Sequence, residues 1–71
     1  MQRDPVKSSY LRAVGYDASS KTLEVEFTDG AIYRYYHVGI ATVKNLKSAD
    51  SLGKFFGKYI RDNYPHRVFK G

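Results

Sequence analysis

Nine residues, TLEVEFTDG from Thr22 to Gly30, constrain this chain more than any other stretch. Leu23, Val25 and Phe27 alternate with Glu24, Glu26 and Thr28. Side chains two apart on a strand share a face, so the segment asks for a β-strand with one side buried and one side wet. Asp29-Gly30 then supplies the positive φ angles of a tight two-residue hairpin, which returns Ala31–Tyr36 as a partner strand. Upstream, Tyr10–Tyr16 (YLRAVGY) also alternates. Asp17–Lys21 (DASSK) is rich in short polar side chains that compete for backbone hydrogen bonds, a turn signal. Together these segments predict a three-stranded antiparallel meander.

After His37 the period changes. Ile40, Val43 and Leu46 recur every third residue within Gly39–Ala49, which predicts a short helix with Lys44 and Lys47 facing outward. Asp50-Ser51 is a helix-capping signal, and Leu52, Phe55, Phe56, Tyr59 and Ile60 follow at the spacing of one helical face. Pro65 disfavours helical geometry at Tyr64 and stops that helix near Asn63. A chain of 71 residues has room for one core only. The expected fold is therefore α+β: an antiparallel three-stranded β-meander followed by two helices packed on one face. Leu23, Val25, Phe27, Leu52, Phe55, Phe56 and Ile60 would be buried together. In this reading residues 1–8 are a flexible arm, 9–64 the domain and 65–71 a tail.

Charge is unevenly placed along the chain. Met1–His37 holds five basic and five acidic residues, whereas Val38–Gly71 holds seven basic against two acidic, so the whole net charge of +5 lies in the second half. On a helical wheel Lys54, Lys58 and Arg61 cluster opposite the apolar stripe. Such an asymmetry points to an anionic, phosphate-bearing partner, RNA foremost; a solvated lysine face is the plainer alternative. With no cysteine there is no disulfide framework and no thiolate chemistry. His37 and His66 have no second ligand at metal-binding spacing, so neither metal nor cofactor is expected. Neither a nucleophile elbow nor a paired acid and base is legible, and Glu24 with Glu26 reads as a solubility face, which points away from an enzyme. No apolar run has the length of a membrane span and the N-terminus has no apolar signal block, giving a cytoplasmic expectation.

Two further features carry binding chemistry. Gly53 and Gly57 each cost up to about 1 kcal/mol against Ala inside a helix. They share one flank with Tyr64, where either close packing or the close approach of a ligand or partner would explain them. The chain is also rich in rings, with seven Tyr and four Phe. Tyr33 and Tyr35 point to one side of their strand, Arg34 and Tyr36 to the other. The Tyr33–Tyr35 pair is open to two readings, core filling or a contact surface. Arg34 and Tyr36 are candidates for stacking on the bases of single-stranded RNA.

The order of these features resembles the KTSC domain, named for its occurrence at the C-terminus of some lysyl-tRNA synthetases and found also as stand-alone bacterial and phage proteins. The resemblance covers about residues 8–64. It rests on Ser8-Ser9, Val14-Gly15-Tyr16-Asp17, Leu23–Phe27, Gly30, Tyr33-Arg34-Tyr35, Ser51–Phe56, Ile60-Arg61 and Tyr64. Gly39 and Gly57 depart from the Pro and Asn common at those places in the family. The resemblance implies the fold and, through the synthetase attachment, RNA binding. The contacts expected are Lys44, Lys47, Lys54, Lys58 and Arg61 on phosphates, with Arg34 and Tyr36 on bases. The alternatives are a protein-interaction module or small regulator using Gly53, Gly57, Tyr33, Tyr35 and Tyr64, or a homo-oligomer that holds a small nucleotide between subunits.

Overall fold

The computed structural model describes residues 2–71; Met1, the first residue of the expected arm, lies outside them. The strands are β1 (Asp4–Pro5), β2 (Leu11–Asp17), β3 (Thr22–Phe27), β4 (Ile32–Tyr35) and β5 (His66–Lys70). They form one antiparallel sheet in the order β1-β2-β3-β4-β5. Helices α1 (Ile40–Ser48) and α2 (Leu52–Phe55) lie between β4 and β5 in the chain, and α2 runs straight on into a π-helical turn, Phe56–Ile60. The α+β class and the meander of β2, β3 and β4 are present, but the sheet has five strands, not three. Both extra strands come from segments expected as arm and tail. HRVFK (His66–Lys70) sets Val68 and Phe69 side by side and all five of its residues are exposed, so neither alternation nor a buried stripe advertises it.

The hairpin between β3 and β4 departs from expectation in one detail. Gly30 has φ 94°, while Asp29 does not take a positive φ. The Gly30 amide donates to the Phe27 carbonyl (2.9 Å) and the Phe27 amide to the Ala31 carbonyl (2.9 Å), so the loop is Thr28-Asp29-Gly30. It is a type I turn closed by a left-handed glycine, which needs a positive φ at one residue only.

The apolar side chains of the sheet and helices meet on one face. Leu11, Val14, Leu23, Val25, Phe27 and Tyr35 pack against Val38, Val43, Leu46, Leu52, Phe56 and Ile60. Leu11 and Val14, three residues apart, reach the same face because Arg12 is an extra residue in the pairing: Leu11 faces Phe27 and Ala13 already faces Glu26. Two members of the predicted helical stripe fall outside the core. Phe55 is only half-buried, and Tyr59 is 47% exposed. For Tyr59 the reason lies in the π-helical turn, whose wide hydrogen bond from the Arg61 amide to the Phe56 carbonyl (2.9 Å) shifts the wheel beyond Phe56 and leaves Leu52, Phe56 and Ile60, four apart, as the buried residues. Ile40, expected on the inner face of α1, is likewise exposed, and the buried residues of that helix are Val43 and Leu46.

Candidate nucleic-acid interface

Ser51 caps α2: its side chain accepts a hydrogen bond from the Lys54 amide at 3.3 Å. From that start, the exposed Lys54 and Lys58 line one groove together with Phe55 and Tyr59. The two rings lie 4.7 Å apart centroid to centroid, and the Lys58 ammonium is 5.2 Å from the Tyr59 ring. Phe55 and Tyr59 form a common wall between two open grooves. One, of about 360 Å³, is lined with Asp50, Ser51, Lys54 and Lys58; the other, of about 480 Å³, with Thr42, Asn45 and Tyr64. Asn63 finishes the helix by donating its side-chain amide to the Lys58 and Tyr59 carbonyls at 3.3 and 2.9 Å.

The remaining cations expected in this set are dispersed. Lys47 lies 3.9 Å from the Asp4 carboxylate, beside the N-terminal segment. Lys44 is exposed on α1. Arg61 lines a different opening of about 420 Å³, on the sheet side, with Asp29, Asp62, His66 and the rings of Tyr10, Phe27, Tyr33 and Tyr35. The two glycines separate likewise. A β-carbon on Gly53 would sit 3.1 Å from the Tyr10 β-carbon, so that glycine lets α2 close on Tyr10, whereas Gly57 has open space around it.

Tyr35 is a core residue, 1% exposed, and Tyr33 is half-buried beside it; both rings line the opening that holds Arg61. Desolvation, with Tyr33 and Tyr10 adding to it, pushes the Tyr35 hydroxyl up to about 12. Tyr10 and His66 belong to this opening and were not foreseen. His66 stacks at 5.1 Å on Tyr35 and 5.7 Å on Tyr33 only because β5 pairs with β4. HRVFK carries neither an alternation nor a buried stripe that could have found it.

Arg34 does not present a free stacking surface. The Arg34 Nε donates to Glu24 Oε1 at 2.8 Å, and its guanidinium lies 4.0 Å from the centre of the Phe69 ring. Tyr36 is half-buried, with its amide bonded to the Pro65 carbonyl at 2.9 Å. Glu24, expected in water, is buried. Arg3 Nη1 donates to its Oε2 at 2.5 Å, while Arg3 and Arg12 both pair with Glu26. Burial alone would raise the Glu24 carboxyl, but the hydrogen bonds and charges of Arg34 and Arg3 outweigh it and hold the group below the ordinary glutamate range. Gly15 makes this possible, because a β-carbon there would run into the Gln2 backbone and crowd Arg3. Among the described residues no three His, Asp or Glu side chains gather as a metal site would need, and no helix is long and apolar enough to cross a membrane.

The model of the KTSC domain matches residues 7–64. The chain belongs to the KTSC domain family. A KTSC domain protein of Yersinia pestis has a crystal structure that superposes with a TM-score of 0.92 at 36% identity, covering 94% of both chains. A protein of Stutzerimonas stutzeri is 44% identical over 64 residues, 90% of either chain. A lysine–tRNA ligase of Nostoc is 32% identical over 60 residues; these are 84% of the present chain and 11% of the ligase. The family resemblance drawn from the sequence is therefore correct, and this KTSC domain corresponds to a small part of the ligase.

Proposed function

We propose that this KTSC domain is a non-enzymatic RNA-binding protein that holds single-stranded RNA across the Phe55–Tyr59 ridge of α2. The observation that carries the reading is the half-buried Phe55 ring and exposed Tyr59 ring set beside two lysines, with a groove on either side. Bases stack on a tyrosine face whatever their sequence, and ammonium groups beside it take the phosphates. The occurrence of a related segment in lysine–tRNA ligases, enzymes named for an RNA substrate, supports it, and a cytoplasmic setting goes with it. Lys44, on the neighbouring helix, is the cation best placed in sequence to extend the track; Arg61 lines the sheet-side opening, Lys47 lies beside Asp4 and Arg34 is paired with Glu24.

Fluorescent RNA oligomers titrated at two salt concentrations test this. With about three phosphates neutralised, log K falls against log salt with a slope near −2, roughly a 16-fold loss between 50 and 200 mM. Lys54→Glu with Lys58→Glu abolishes binding, and Tyr59→Ala weakens it by about 5- to 100-fold, the value of one stacked base. Binding that is indifferent to salt and to these substitutions would refute the reading. One observation favours the alternative of a protein-interaction module: β5 is an edge strand, with Val68 51% and Phe69 58% exposed. A partner strand docked there would tolerate salt and depend on Phe69.

A further inference from the structure

The opening between the sheet and the end of α2 shares no lining residue with the Phe55–Tyr59 ridge, and its chemistry differs. Its base is aromatic: Tyr10 and Tyr33 each stand 5.3 Å from Phe27 at steep angles, 61° and 84°, and His66 continues the wall 5.7 Å from Tyr33 and nearly parallel to it. At about 420 Å³ it has the size of a small-ligand pocket. Around these rings lie three charged groups, Asp29, Asp62 and Arg61. Among the described residues none of the three is in an ion pair. Asp29 has one oxygen committed to the turn, accepting from the Ala31 amide at 3.0 Å. Among the described residues neither oxygen of Asp62 has a side-chain or backbone donor.

We infer that this pocket binds a guanine mononucleotide, with the base against the Tyr33–His66 wall, its Watson–Crick edge on Asp62 and its phosphate on Arg61. The three features select that class together. Flat rings take a flat heterocycle. A carboxylate with two free oxygens matches two parallel N–H donors, which guanine offers at N1 and N2. Adenine and cytosine each set an acceptor beside their amino group, and uracil flanks its single N–H with carbonyls, so all three turn a lone pair toward the carboxylate. A guanidinium takes a phosphate bidentately, and its presence argues against an organic cation as the occupant of the ring set. The inference is independent of the RNA reading, since Lys54, Lys58 and Tyr59 take no part in it.

The test is titration of GMP, AMP, CMP and UMP, followed by tyrosine fluorescence and by thermal melting. Three variants serve: Asp62→Asn, Arg61→Gln, and Lys54→Glu with Lys58→Glu. Asp62 and Arg61 are exposed and outside the core, so these variants fold. GMP is expected to bind about 10- to 100-fold tighter than the other three, the discrimination of one bidentate base contact, and to raise the melting temperature. Asp62→Asn should bring the four nucleotides to within about threefold of one another; Arg61→Gln should reduce GMP to the affinity of guanosine. The double lysine variant should bind GMP as the unaltered chain does, which separates this site from the RNA ridge. Equal affinities for the four nucleotides, undiminished guanine preference in Asp62→Asn, or binding of tetramethylammonium in preference to GMP would each overturn the inference.

Discussion

The two faces of the sheet solve burial in opposite ways. On the helix side, Val25 and Leu23 lose water to Phe56, Ile60 and Leu46, and dispersion and the hydrophobic effect act without regard to direction. On the other side Glu24 is buried almost as completely as Val25, but against charged partners. Its cover is a layer of arginine side chains: Arg3 from the N-terminal segment, Arg34 from β4, and Phe69 from β5 lying over the Arg34 guanidinium. The apolar face tolerates small displacements, because a methyl group has many partners. The ionic face depends on a few directed bonds and on two segments at the chain ends being in place.

Breaking the apolar side should have the largest effect. Phe56→Ala empties the junction where Phe56 meets Phe27 and Tyr35, and is expected to cost about 3 to 5 kcal/mol, enough to unfold most of a domain this small. Phe55→Ala, at a half-buried position, should cost about 1 to 2 kcal/mol, and thermal melts of the pair will show whether Phe56 rather than Phe55 is the core phenylalanine. Equal losses would contradict the assignment.

The ionic side comes next. Glu24→Gln removes the shared acceptor of Arg3 and Arg34 and is expected to cost about 2 to 3 kcal/mol in urea unfolding. A double-mutant cycle between Arg3→Met and Arg34→Met should be non-additive, because both lean on one carboxylate. Gly15→Ala should cost about 1 to 2 kcal/mol by pushing away Gln2 and Arg3, and hydrogen exchange should show β1 amides losing protection while the helices keep theirs.

The pH dependence separates the faces again. The Glu24 carboxyl titrates below its unfolded value, so its contribution is present above about pH 4.5 and is lost as pH falls through the lowered value; Glu24→Gln should flatten that acid limb. Burial pushes the Tyr35 hydroxyl up to about 12 from its ordinary 10.0, so its contribution is complete below pH 10 and is lost as pH rises from there toward 12. Tyr35→Phe should remove that alkaline loss and the latest-titrating phenol in an ultraviolet titration. The smallest effect on stability is expected on the exposed flank of α2. Lys54→Glu with Lys58→Glu should shift unfolding by no more than about 0.5 kcal/mol while removing RNA binding.

How much of this was legible can be judged from particular residues. Leu23, Val25 and Phe27 were readable as core because burial on one face of a strand leaves a period of two, and Ser51 was readable as a cap because few side chains can accept from the third amide of a helix. Lys54 and Lys58 were readable as one exposed pair, since four residues make about one turn. Arg61 was not readable as apart from them, because one inserted residue in a π-helical turn rotates everything after it and leaves no mark in the apolar pattern. His66 and Tyr10 could not be foreseen as neighbours, as their meeting depends on pairing between β4 and β5 and on Gly53 admitting Tyr10 against α2.

Local rules therefore determined the elements: which segments alternate, where a helix is capped, where a proline stops it, and which half carries the net charge. Tertiary structure decided what the alternation conceals. A glutamate on the polar side of a strand carries the same sequence signal whether water or arginine covers it, and an exposed strand such as β5 carries almost none. Both are settled by partners distant along the chain, Arg3 and Arg34 for Glu24 and the edge of β4 for β5, and the free energy that brings them together is absent from any local window.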